Sequence, residues 1–335
     1  HIDKNTRNGN GMSFPLSSKE FKTVRFKQYR VHDFAWFADK RFYVLHDQID
    51  LPNTQRTIDT WVFFTDKNFD LWKDALSYVN ESTMFYSHLN GDYPYNHVTA
   101  VDGTIMAGSG MEYPNITVIG DATSKLELDL VIAHEVGHNW FYGVLGSNER
   151  EYPFLDEGIN SFYEMRYMRA KYPEIKLTDL IGRDSTFKFL GLNKRPRWRE
   201  KETAYFMSLK ARAEQPILTA ANDMTFFNYG SIIYSKTPVV LDYIMETMGE
   251  AKFDEAMKFY FKEFKFKHPS PEDFFKTIEF FAGPHAKNFE QNLFATSKTI
   301  DYKIKRVRRL KDGTYSFLLK NKTGTNLPFN VYAYK

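Results

Sequence analysis

Residues 134–141 read His134-Glu135-Val136-Gly137-His138-Asn139-Trp140-Phe141. They lie in a stretch, Leu126 to Tyr142, whose apolar spacing predicts one helix. At about 3.6 residues per turn, positions four apart share a face, so both imidazoles can reach one ion with Glu135 beside them. H-E-x-x-H is the pattern in which two helical histidines bind zinc and the glutamate acts as general base. Five residues decide little alone, because two histidines can equally be satisfied by hydrogen bonds in a core.

A second acidic residue sharpens the reading. Glu157 follows His138 with 18 residues between them and opens the next helical segment, Leu155-Asp156-Glu157-Gly158-Ile159. Two histidines and one carboxylate leave the fourth position of a tetrahedron open for water, which separates a catalytic zinc site from a structural one. The plain alternative for Glu157 is a carboxylate favoured by a helix N-terminus.

Outward from this centre the pattern changes. From Leu126 almost to residue 298 the spacing is helical, punctuated by Pro153, Pro173, Pro196, Pro216, Pro238, Pro269 and Pro271. Upstream, Asp70 to Leu89 predicts a helix, while Arg56 to Phe64, Val98 to Val101 and Ile116 to Ile119 predict strands around a Gly-rich loop, Gly103 to Gly110. Phe21 to Val31 and Arg41 to Leu45 are β-rich. Ile304 to Leu319 reverts to strands about a Lys311-Asp312-Gly313-Thr314 turn, and Phe329 to Tyr334 begins another. The expected class is α+β. The expected domains are 1–55, the end of a β domain; 56–300, the catalytic unit; and 301–335, the start of a further β domain. A chain that starts near β sequence and stops inside it reads as a fragment of a longer protein.

Composition bounds the partners. The 335 residues are 42% hydrophobic and 17% aromatic, enough for a sizeable core, at a net charge of only +3. The 45 basic residues are spread out, and the one dense run, Lys303 to Lys311, alternates with Ile304, Val307 and Leu310 as on the solvated face of a strand, so nucleic acid is a poor fit. No apolar run approaches the roughly 18 residues of a membrane span, and His1 to Pro15 lacks the apolar segment of a signal peptide. With no cysteine, disulfides and thiolate ligands play no part.

These motifs resemble the M1 family of zinc aminopeptidases, gluzincins in which H-E-x-x-H is followed, after an 18-residue gap, by a ligand glutamate in an N-E-G or D-E-G context. His138-Asn139-Trp140-Phe141 is similar to the family's H-x-W-F continuation, and His32-Asp33-Phe34-Ala35-Trp36 to the end of the β domain preceding it in bacterial members. The resemblance implies a thermolysin-like catalytic domain, with a mixed-sheet lobe and a helical lobe. It implies one zinc ion per chain on His134, His138 and Glu157, a water activated by Glu135, and peptides with a free N-terminus as substrates. The family's G-x-M-E-N motif corresponds to Gly108-Ser109-Gly110-Met111-Glu112-Tyr113-Pro114. Gly110, Met111 and Glu112 are then substrate-binding, Glu112 anchoring the α-ammonium, and Tyr113 departs from the usual asparagine. The Y-x-K-G motif corresponds to Tyr234-Ser235-Lys236-Thr237, with Thr237 in place of glycine, and implies that Tyr234 donates to the oxyanion; Tyr229 is its nearest competitor. Glu164 resembles an acid that orients a ligand histidine. The rival readings are a thermolysin-type endopeptidase and a non-catalytic zinc-containing scaffold.

Overall fold

The computed structural model describes residues 19–331 apart from residues 22, 104, 106–109, 182–188, 190 and 213. Gly108 and Ser109 of the quoted motif, and the end of Phe329 to Tyr334, therefore lie outside the described residues. Two compact units divide the chain: residues 1–146 with 264–268, and residues 147–263 with 269–335.

The first unit is built on a five-stranded sheet in the order β1-β2-β3-β5-β4, where β1 is Tyr43–Asp50, β2 Thr57–Phe64, β3 His97–Asp102, β4 Gly110–Met111 and β5 Ile116–Ile119. β1 runs antiparallel to β2, β2, β3 and β5 are mutually parallel, and β4 closes the edge antiparallel to β5. The alternation in β2 buries Ile58, Thr60, Val62 and Phe64 on one face, as a period of two requires. β3 is buried along Val98–Asp102, as expected of a central parallel strand covered on both sides. Two helices pack on this frame, α1 (Ala75–Asn90) and α2 (Lys125–Gly137). Ser124 caps α2 by accepting from the Glu127 amide at 3.1 Å, while Leu128, Ile132, Ala133 and Val136 bury its inner face.

Two expectations are corrected here. α2 stops at Gly137 rather than running to Tyr142. The cause is Trp140, whose indole N–H donates to the Gly91 carbonyl at 2.8 Å and whose ring stacks on Tyr86 at 5.3 Å. That anchor pulls the chain off the helical path into a tight turn, where Tyr142 adopts φ 126°. Nor do the described residues between 19 and 42 hold a strand: Phe21, Val24 and Phe26 are exposed, with no neighbouring ladder to pair their backbone.

The second unit is mostly helical: α3 (Ile159–Lys171), α4 (Glu200–Ala211), α5 (Thr237–Met248), α6 (Glu250–Phe264) and α7 (Pro271–Ala282). Arg166, only 3% exposed, ties α3 to α6 through Glu250 and Asp254. Phe154, Phe274, Phe275 and Phe294 form an aromatic core. The hairpin of β6 (Tyr302–Arg309) and β7 (Tyr315–Asn321) forms around the expected turn and leaves Lys303 to Lys311 exposed. Among the described residues no helix is long and apolar enough to cross a membrane.

Candidate active site

The site residues fall into two sets, one in each unit. In the first, the last turn of α2 carries His134 and the residue capping that turn is His138, their Nε2 atoms 3.1 Å apart. Nδ1 of His138 lies 3.0 Å from the Phe141 carbonyl oxygen. A carbonyl only accepts, so Nδ1 carries the proton and Nε2 presents its lone pair. Two ring nitrogens tolerate 3.1 Å only with a proton or a metal ion between them. Two zinc–nitrogen bonds of about 2.0–2.1 Å at a tetrahedral angle would place the nitrogens about 3.3 Å apart. Both the donor chemistry and the spacing fit zinc.

Glu135 is 5% exposed. The edge strand β4 passes directly over it, since a Cβ built on Gly110 would lie 2.2 Å from its Oε1. Glycine at 110 thus lets backbone approach the carboxylate where a side chain would displace it. Hydrogen bonds pin β4 and the loop that follows it. Thr117 Oγ1 donates to the Met111 carbonyl at 3.0 Å. The Asn115 amide, at φ 59°, donates to Oδ1 of Asn139 at 2.7 Å. Asn139 in turn donates to the Val136 carbonyl at 2.9 Å and accepts from the Tyr93 hydroxyl at 3.2 Å. The residue written x in H-x-W-F therefore ties the end of the histidine helix to the Tyr113–Asn115 turn. Glu112, between them, is 6% exposed, with a carboxylate oxygen within 4.8 Å of a His138 ring nitrogen.

In the second unit, two short π-helical turns carry the remaining candidates: Phe154–Gly158 holds Glu157, and Tyr229–Lys236 holds Tyr234. Single π turns recur at functional sites because the extra residue re-aims the side chains around it. Burial, reinforced by the Glu157 carboxylate that it faces, raises the Tyr234 phenol far above its ordinary value. A cation bound at Glu157 would remove part of the second cause and leave the first. The Tyr234 hydroxyl therefore stays protonated and keeps its donor hydrogen, which in this structure faces Glu157. Tyr229 lies edge-on to it, ring centroids 5.8 Å apart.

Glu164 sits one to two turns into α3, its Oε2 3.5 Å from Nζ of Lys201 on α4. Burial pulls Lys201 down, but the carboxylates of Glu164, Glu200 and Glu157 outweigh it and raise its affinity for a proton. Sequence reasoning missed Lys201 and Asn139. Lys201 lies in the charged run Arg195–Glu202 without any spacing to mark it, and Asn139 stands at a position that the motif leaves unspecified.

The α+β fold is similar to that of M1 zinc metallopeptidase structures. That of the Deinococcus radiodurans protein matches with a TM-score of 0.55 at 13% identity, covering 77% of this chain and 52% of that one. A second structure of that metallopeptidase, bound to a Tyr-Ser-Ala substrate, also gives 0.55, at 14% identity over 76% of this chain and 53% of that one. Residues 75–294 match the peptidase family M1 domain, and the chain belongs to that family. Leucine aminopeptidase 2 of Yarrowia lipolytica is 30% identical over 202 residues, 56% of this chain and 29% of that protein. Glutamyl aminopeptidase of Bitis rhinoceros is 25% identical over 215 residues, 64% of this chain and 21% of that protein. The chain thus spans less than a third of these curated relatives.

Proposed function

We propose that this chain is the catalytic part of a zinc-dependent aminopeptidase, in which His134, His138 and Glu157 hold one zinc ion and Glu135 is the general base. The observation that carries the reading is the convergence of the two imidazole nitrogens at 3.1 Å on the turn that bears Glu135. The spacing of Glu157, 18 residues beyond His138, and the family membership support the third ligand. Zinc, when bound, supplies Lewis acidity that polarises a carbonyl and acidifies water. Glu135 takes a proton from the attacking water and returns it to the leaving amine as the peptide C–N bond breaks. Tyr234, protonated, donates to the oxyanion that develops on the carbonyl oxygen. Glu112 pairs with the free α-ammonium, so that the first peptide bond is the one presented for attack.

His138→Ala removes one of the two converging nitrogens and is expected to abolish zinc retention. Elemental analysis after gel filtration measures this, and full occupancy in the variant would remove His138 from the ligand set.

Glu112 decides between an aminopeptidase and an endopeptidase using the same metal set, because a buried anionic cap suits a free N-terminus and obstructs a continuing chain. A charge-assisted contact at the upper end of about 1.5–3 kcal/mol corresponds to a loss on the order of a hundredfold in kcat/KM for Glu112→Ala on free-amine substrates. Acetylating the substrate should cost the intact protein a similar factor, and the two losses should not add, since each removes the same interaction. A free-to-acetylated ratio near one in both proteins would favour the endopeptidase.

A further inference from the structure

The π-helical turns bearing Glu157 and Tyr234 meet through their neighbours. Thr237 follows the second turn, at the position where the family resemblance expects glycine, and it is fully buried. Its hydroxyl donates to the Ile232 carbonyl at 3.0 Å, closing the backbone around Tyr234. Its methyl points at Gly158, the last residue of the first turn. A Cβ built on Gly158 would lie 2.7 Å from Thr237 Cγ2, 3.1 Å from Thr237 Cβ and 3.3 Å from Phe154 Cβ. The backbone does not call for glycine here, since Gly158 has an ordinary helical φ of −69° and alanine is the better helix former. What excludes a side chain at 158 is the space that Thr237 already fills.

We propose that Gly158 and Thr237 form an interlock of fixed size that sets the separation of Glu157 and Tyr234. Both are then positioning residues for the reaction proposed above, on whose assignment of Glu157 and Tyr234 this inference rests. The absent side chain at Gly158, the glycine of the D-E-G context, and the methyl of Thr237, where the resemblance expects glycine, are complementary in size: the methyl occupies the space that a Cβ at 158 would need. One added methyl group at 158 forces the two turns apart. A shift of a few tenths of an ångström between a ligand and an oxyanion donor acts on the transition state more than on substrate binding.

The test is a methyl swap read in four proteins: the intact chain, Gly158→Ala, Thr237→Ser and the double variant. Serine keeps the hydroxyl that bonds Ile232 and removes the nearest clashing atom. Measured well below the unfolding temperature and per bound zinc, Gly158→Ala should lower kcat by about ten- to a hundredfold with KM within about threefold. Zinc affinity, read by chelator competition, should weaken by about tenfold, as for other residues that orient a ligand. The double variant should recover both to within about threefold of the intact chain, which a purely destabilising change at 158 would not do. Wild-type kcat in Gly158→Ala, or a double variant as slow as Gly158→Ala, overturns the interlock while leaving the functional reading standing. An intact chain that neither retains zinc nor cleaves free-amine peptides overturns both.

Discussion

Glu135→Gln is expected to retain zinc and fold normally while turnover falls by roughly two to four orders of magnitude. The substitution is isosteric, so it leaves the close approach of Gly110 to this side chain undisturbed. It also leaves His134 and His138 as they are. What it removes is the ability to accept a proton from water and deliver it to the departing amine. An amide in the same place still hydrogen-bonds, which is why metal content and melting temperature should hold while kcat collapses. Elemental analysis and steady-state kinetics on the same preparation separate the two effects. A metal-replete variant with unimpaired turnover would assign the base to another group. The outcome also bears on the scaffold alternative, since a structural zinc site has no use for a buried acid beside the metal.

Tyr234→Phe should lower kcat by about two to three orders of magnitude with little change in KM, because an oxyanion donor engages only in the transition state. The hydroxyl suits that role through its surroundings: burial and the facing Glu157 carboxylate keep it protonated. Zinc retention should be unchanged. Tyr229, whose ring lies 5.8 Å from that of Tyr234, serves as the control, and Tyr229→Phe should be close to fully active. The reverse pattern would exchange the two roles, and a loss of stability without loss of kcat would make Tyr234 a core residue.

Much of this was legible in the sequence because local rules and tertiary packing agree: the periods of β2 and α1 each match one buried face, β3 and β5 are short apolar runs buried nearly throughout, and the β6–β7 hairpin is set by its turn. The histidine helix was legible in kind but not in length. Its last turn is undone by Trp140 reaching a carbonyl 49 residues away, a contact that no local pattern encodes. Phe21 to Val31 has strand composition, yet its described residues hold no strand, since β propensity acts only where a neighbouring ladder exists. The π-helical turns around Glu157 and Tyr234 were read as ordinary helix. The inserted residue in each is held by packing such as Thr237 on Gly158, and side-chain periodicity over five to eight residues does not register it. Of the candidate chemistry, the residues with fixed spacings are marked in the sequence, while Asn139, which ties the histidine helix to the turn after Glu112, and Lys201, beside Glu164, are not.

The most direct measurement is a zinc titration of the metal-stripped protein, following hydrolysis of a free-amine aminoacyl substrate and of its N-acetylated counterpart at each addition. Activity on the free-amine substrate should rise linearly and level off at one zinc per chain, with the acetylated substrate slower by on the order of a hundredfold throughout. Hydrolysis that is already complete without metal, or that rises equally for both substrates, would contradict a zinc aminopeptidase built on His134, His138 and Glu157.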